Sequence, residues 1–391
     1  MKQLYLLYLL ALMPLLAQAD TVRVGSFYYN LMEGNTAELT ENKDVFPSRK
    51  YQKKNVTVPD SIEYEGVFYK VIRIGDWAFY DCTDLESIAI PSTVISIGNR
   101  TFYGCKNLRQ VYLGDSIEKI ESYAFCECSI WSITLPQSIR TIGEGAFHSS
   151  GLSRITLPDG VSEIGQWAFN SCGSLTSVKF SNSVKRIGVG AFGNCPKIGI
   201  IDLPDSIATI ERGLFQNSGL ISVKIPMSVK SIERDAFSGC SSLWNISIPD
   251  SVESIGSYAF ANCSGLQVVK IGKGIKTIEE RAFYNCSKLE SVYCSAIEVP
   301  YADNDAFKKV SMQDVCLYVP QVAFEDYKTT EPWCNFKNIY PNPDDTTSIR
   351  PVDAKNGIQS VYGIEGRKYY QLHKGLNVIL VNGNVRKIIL R

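Results

Sequence analysis

Apolar positions recur along most of this chain in short alternating groups, most of them closed by a proline. In Leu85-Glu86-Ser87-Ile88-Ala89-Ile90-Pro91, the residues Ile88 and Ile90 alternate with Ser87 and Ala89. That is the period-two signature of a short strand with one buried face. Proline stops the strand because it has no N–H to donate to a ladder, and it returns at Pro136, Pro158, Pro204, Pro226 and Pro249. A second apolar pair follows, such as Val252 and Ile255, and then a Gly-x-x-Ala-Phe segment such as Gly256 to Phe260, with glycine read as the turn residue. Ala259, Cys263 and Leu266 stand at i, i+4 and i+7, which predicts one face of a short helical turn.

Alignment on the aromatic residue shows how far this order extends. Eleven phenylalanines from Phe79 to Phe307 fall 22 to 24 residues apart, and nine of them follow alanine, with Thr101 and Leu214 in the other two coils. A period of about 20 to 29 residues marks a solenoid of leucine-rich-repeat type. No single repeat can bury its apolar edge, so stacked coils must share one core. At about 4.8 Å per coil, such a stack spans roughly 50 Å. Three repeats are one residue short in the same loop, between Phe125 and Ile130, Phe147 and Leu152, and Phe215 and Leu220. The expected fold is a β-rich, right-handed solenoid of about eleven coils with short helical turns.

The motif Leu-x-x-[Ile/Val]-x-[Ile/Leu]-Pro-x-x-[Val/Ile]-x-x-Ile-Gly-x-x-Ala-Phe-x-x-Cys resembles the BspA-type leucine-rich repeat of bacterial surface proteins. GSFYYNLMEGNTAEL from Gly25 resembles that family's N-terminal cap, placed at 20–52, and LYVPQVAFEDYKTTEPWCNFKNI from Leu317 its closing cap, within a solenoid at 53–340. The resemblance implies an adhesin-like binding protein that contacts host matrix proteins, other cells or glycans.

Two flanking segments bear on address. Residues 1–19 combine Lys2, an apolar run from Leu4 to Leu16 and the small-x-small end Ala17-Gln18-Ala19, the pattern of a cleaved secretory signal. The run is shorter than the roughly 20 residues a membrane span needs. At the other end, 341–353 reads as a linker, and 354–391 alternates around Gly366, Gly375 and Asn382-Gly383 as a small antiparallel β unit. The tail's Val361-Tyr362-x-x-x-Gly366-Arg367 core resembles type IX secretion sorting domains, although it is short and has Leu376-Asn377 where those domains usually carry a tyrosine-containing turn. An exported protein at the cell surface or outside the cell is expected.

Charge and chemistry narrow the function further. Lysine plus arginine and aspartate plus glutamate both number 40, so no global field favours nucleic acid. The two histidines, His148 and His373, lie in unrelated regions, and the Gly188-to-Gly193 match to GxGxxG is simply one coil's turn. No enzyme activity, cofactor or metal is expected. Eight of the twelve cysteines follow the repeat phenylalanine by three residues and are read as buried free thiols. Cys316 and Cys334 in the closing cap are left either paired or free.

The outward strand positions are the candidate binding face. These are mostly small and polar, with Lys179, Lys224 and Lys270 as a thin basic stripe and Tyr112, Arg154 and Tyr293 as the types enriched at interfaces. Protein or glycan recognition through that face is the first reading, and a passive spacer in a surface assembly is the alternative. The oligomeric state is not legible.

Overall fold

The computed structural model describes residues 21–41 and 51–342, together with the strands Ile358–Gly363, Lys368–Tyr369, Gly375–Val381 and Asn384–Leu390. The expected signal segment and all but the first two residues of the expected linker lie outside the described residues. The chain is a β-solenoid of about twelve turns with little helix. It divides into two compact units, residues 1–207 with 213–219 and residues 208–212 with 220–391.

The first unit opens with an antiparallel meander, Thr21–Val24, Phe27–Met32 and Thr36–Thr40. Its last strand pairs in parallel with Val67–Ile74, which also forms a hairpin with Ser61–Tyr64 through the positive-φ pair Glu65-Gly66. One two-residue strand per coil then extends the ladder, from Ser96–Ile97 through Lys119–Ile120, Thr141–Ile142 and Glu163–Ile164 to Arg186–Ile187, each burying its isoleucine. The three-residue strands make a second set: Asn55–Thr57, Ser87–Ala89 and Gln110–Tyr112 pair in parallel, and so do Arg154–Thr156 and Ser177–Lys179. Between these groups the coil at 132–134 forms no strand.

The second unit repeats this plan. Thr209–Ile210, Ser231–Ile232, Ser254–Ile255, Thr277–Ile278 and Tyr301–Ala302 form one ladder. Asn245–Ile248, Val268–Ile271, Ser291–Cys294, Cys316–Val319 and Asn338–Pro341 form the other. The closing segment therefore continues the sheet before sealing its end. Phe307 meets Trp333 and Phe336 edge-on at 5.8 and 5.1 Å, and the buried Trp333 indole donates to the Pro300 carbonyl at 2.9 Å. The tail carries a four-stranded antiparallel sheet in the order Lys368–Tyr369, Ile358–Gly363, Gly375–Val381, Asn384–Leu390.

Phenylalanine forms the centre of both units. From Phe79 to Phe215, successive ring centroids lie 5.1 to 6.0 Å apart with planes within 14° of parallel. From Phe237 to Phe307 they lie 5.1 to 5.2 Å apart. These separations exceed the roughly 3.5–4.0 Å contact thickness of carbon, so the rings are displaced sideways, the arrangement their quadrupoles favour. Thr101 fits beside Phe102 although it is polar, because its buried hydroxyl lies 3.0 and 2.8 Å from the Gly75 and Gly98 carbonyls.

The segment expected as a helical turn is instead a run of three successive β-turns. In the coil at 256–263, the N–H groups of Ala259, Ala261 and Cys263 close local turns onto Gly256, Tyr258 and Phe260. The alternate N–H groups of Tyr258, Phe260 and Asn262 donate to Glu280, Ala282 and Tyr284 of the next coil. A helix would commit every interior N–H to its own i−4 carbonyl and leave none for the neighbour, so stacking overrides the helical spacing. The turns instead need left-handed residues, Tyr258 and Asn262, both at φ 59°. Gly256 has no such φ. A Cβ on it would stand 2.7 Å from the Arg234 nitrogen, and one on Gly165 2.5 Å from the Glu144 nitrogen. The repeat glycine therefore serves close coil approach rather than the turn itself. Glutamate occupies the equivalent positions 121, 211, 233 and 279, so that approach belongs to particular coil pairs.

The repeat cysteines are buried, and all twelve cysteines are free thiols, Cys316 and Cys334 included. Their sulfurs reach back one coil. Cys105, Cys128, Cys172, Cys195, Cys263 and Cys286 donate to the carbonyls of Phe79, Phe102, Phe147, Phe169, Phe237 and Phe260 at 3.0 to 3.2 Å. The thiol thus packs as a small apolar group and also supplies a weak donor to a buried carbonyl. Ser150 holds the same repeat position, with its hydroxyl 3.3 Å from the Cys172 sulfur. Only Cys316 and Cys334 are more than marginally exposed. A soluble alkylating reagent should therefore label those two in the native protein and all twelve in denaturant. Mass spectrometry that found a repeat cysteine modified natively would contradict this packing.

Candidate binding face

Alternation along each longer strand buries the middle residue and turns its two neighbours outward. This creates two outward rows. In the first unit, Tyr112 continues the row of Thr57 and Ala89, whereas Arg154 is in register with Ser177, and Lys179 with Thr156. Arg154 and Lys179 consequently occupy different rows. The basic stripe expected from Lys179, Lys224 and Lys270 is not continuous either, because the exposed Asp202 holds the lysines' repeat position in its own coil.

The second unit brings two of the expected residues together. Ser247, Lys270, Tyr293, Tyr318 and Tyr340 fall in one register row. The Lys270 ammonium lies 5.6 Å from the centre of the Tyr293 ring, close enough for a cation–π attraction. Tyr293 stacks on Tyr318 at 4.5 Å, and Tyr318 meets Tyr340 at 5.8 Å. Beside this row stands Trp244, 49% exposed, whose carbonyl accepts the Gln267 N–H at 2.8 Å. Trp244, Asn245, Ser247, Val268, Lys270 and Tyr293 enclose an open cavity of about 460 Å³.

The first unit has a smaller counterpart of about 340 Å³ beside Tyr112 and Trp131, each 60% exposed. It opens where Gln110–Tyr112 pairs with Ser87–Ala89 on one side while the next coil, 132–134, forms no strand. Trp131 and Trp244 occupy the same repeat position, directly after the buried Ile130 and Leu243. Each groove thus has a tryptophan directly after that buried aliphatic residue and a tyrosine on the second outward row.

Other polar clusters hold the coils together. Arg73 pairs with Glu38, Asp76 and Glu121, tying the N-terminal meander to successive coils. Arg100 lies 4.9 Å from the Trp77 ring centre and 5.2 Å from that of Tyr123. His148 is partly buried, and burial lowers its pKa, which keeps the imidazole neutral. Among the described residues, no group of three or more histidine, cysteine, aspartate or glutamate side chains is arranged to hold a metal ion. No helix among them is long and apolar enough to cross a membrane.

Residues 72–199, 118–243 and 186–313 match the family model described as BspA type leucine rich repeat region, in six copies. The chain belongs to the BspA-type leucine-rich repeat family. Among solved structures, this BspA-type chain is similar to a leucine-rich repeat protein from Bacteroides ovatus at 25% identity, covering 82% of this chain and 99% of that one, with a TM-score of 0.58. It also matches a leucine rich cell surface protein from Faecalibacterium prausnitzii at 24% identity, covering 70% and 94% of the two chains, TM-score 0.35. A leucine rich repeat protein from T. pallidum matches at 26% identity, covering 63% and 91%, TM-score 0.37. No curated protein matches the chain. The family motif accounts for the buried ladder residues of this BspA-type protein. Trp131, Trp244, Tyr318 and Tyr340 lie outside that motif.

Proposed function

We propose that this BspA-type protein is exported, displayed at the cell surface and used for binding, with the outward sheet face contacting protein or glycan ligands. The observation that carries this reading is the Lys270–Tyr293–Tyr318–Tyr340 row beside Trp244, since aromatic and cationic side chains at an accessible concavity suit recognition. Export is supported by the leader-like residues 1–19 and by the sorting-like features of 354–391. Surface display is what the resemblance of the repeat motif to that of bacterial surface proteins implies. The small polar residues that fill most of the remaining outward positions favour the alternative, a passive spacer.

Screening the mature chain against arrays of matrix proteins and glycans tests the choice. Saturable binding is expected, and the combined Lys179→Ala, Lys224→Ala and Lys270→Ala variant should weaken it. Empty arrays of both kinds would replace the binding reading with the spacer. In cells that express the full chain, loss of residues 354–391 should remove the protein from the surface; unchanged display would refute the sorting role.

A further inference from the structure

The groove in the second unit has features that narrow its ligand, and the narrowing rests on the binding reading above. The central strand of its floor is paired on both sides: Val268–Ile271 is bonded to Asn245–Ile248 on one side and to Ser291–Cys294 on the other. That central strand is closed to a peptide that would extend the ladder, and Asn245–Ile248 is the terminal strand of the sheet. The aliphatic residue beneath the floor, Ile246, is only 2% exposed, so the cavity has no deep apolar pocket for a peptide anchor. The half-exposed Trp244 lines the cavity together with Asn245, Ser247 and Tyr293, which carry amide, hydroxyl and phenol groups. A volume of about 460 Å³ falls within the roughly 300–1,000 Å³ range of small-molecule sites.

Lys270 sets the sign of the charge. Other lysines of the same coil are neutralised: Lys273 lies 3.5 Å from Asp250, and Lys276 lies 2.7 Å from Glu253. Among the described residues Lys270 has no carboxylate at ion-pair distance, and its ammonium is held over the Tyr293 ring. A cation fixed beside an aromatic wall and surrounded by small hydrogen-bonding groups presents three complementary demands. They are a carboxylate for Lys270, an apolar C–H face for Trp244, and hydroxyl groups for Asn245, Ser247 and Tyr293. A uronic-acid pyranose satisfies all three in a single ring.

We infer that the groove between Trp244 and the Lys270–Tyr293 pair binds an acidic saccharide, with its carboxylate on Lys270 and its C–H face against Trp244. Calorimetric titration of the mature chain with trigalacturonic acid and with its methyl ester tests this directly. The acid should bind at least about tenfold more tightly than the neutral ester, the worth of one charge-assisted hydrogen bond. The difference should shrink as salt is raised. Lys270→Gln should bring acid and ester to the same affinity while leaving the ester unchanged, and Trp244→Ala should weaken both. Both side chains are partly exposed, so unchanged melting curves will show that the variants remain folded.

Equal affinities in the wild-type protein, or an acid preference that survives Lys270→Gln, would overturn the inference. Tighter binding of a polyglutamate peptide than of trigalacturonic acid would overturn it in favour of an acidic peptide. No binding of trigalacturonic acid, with hits retained on the arrays, would overturn the acidic-saccharide assignment and leave the broader binding reading standing.

Discussion

Moving the reduced protein from about pH 8 to about pH 10.5 should remove much of its stability, because the coils are laced together by protonated thiols. Burial pushes Cys172 up to about 11 and Cys286 up to about 12. Burial likewise raises Cys105, Cys195, Cys263 and Cys294. Thiols of the unfolded chain titrate near about 8.5. Below that pH both states hold their protons and the thiols' contribution is fully present. Above it the unfolded chain releases protons first, so the contribution falls as pH rises towards the folded values. Each such thiol then loses about 1.4 kcal/mol per pH unit. Cys172 and Cys286 together therefore lose about 3 kcal/mol per unit, against a typical total of about 5–15 kcal/mol. Tyr29, raised by burial to about 12, acts in the same direction at still higher pH. Chemical denaturation followed by circular dichroism across this range tests the claim. The Cys172→Ser, Cys286→Ser double variant should show a flatter pH profile, since Ser150 and Ser218 already hold that repeat position. A wild-type midpoint that stays constant from about pH 8 to 10.5 would reject it.

Phe192→Ala should lower stability by about 3–5 kcal/mol. Phe192 is fully buried and touches three other rings: Phe169 at 5.3 Å, Phe215 at 6.0 Å and Phe180 edge-on at 5.7 Å. Truncation therefore leaves a cavity with rings on three sides, none of which can collapse without disturbing its own coil. Because neighbouring coils supply the stabilising interfaces of a solenoid, the damage should spread to both sides. A drop of roughly 10 °C in the thermal midpoint is expected. Phe192→Leu should cost less, since it refills most of the volume. An alanine variant that melts with the wild type would mean the ring stack is not the core.

The features that could be read ahead of the structure were those the repeat enforces. Phe192 and its counterparts keep register because one displaced ring would open a void, so the ladder is visible as spacing alone. The same holds for the cysteines, and for the alternation that turned Lys270 and Tyr293 outward. Where two demands compete for the same backbone, spacing misleads. Ala259, Cys263 and Leu266 have helical separation, yet the N–H groups of Tyr258, Phe260 and Asn262 go to the next coil. Trp244 escaped notice because it precedes the alternating stretch, and Tyr318 and Tyr340 because the closing cap carries none of the repeat's phenylalanine spacing. Whether Lys179, Lys224 and Lys270 formed a stripe depended on Asp202, a residue at the same repeat position that the stripe passed over.

The left-handed residues of the turns have a consequence for how this surface can change over generations. Tyr258 and Asn262 mark two positions that recur coil after coil, filled elsewhere by Trp77, Arg100, Tyr123, Trp167, Arg281, Asn194, Asn217 and Asn285, all at positive φ. Valine, isoleucine and threonine are strongly disfavoured in that conformation, and none appears at any of these places. One edge of the molecule is thus written in a restricted alphabet: glycine, or side chains unbranched at Cβ. The strand face carries no such restriction, so mutation can rewrite its chemistry, one coil at a time, without renegotiating the fold.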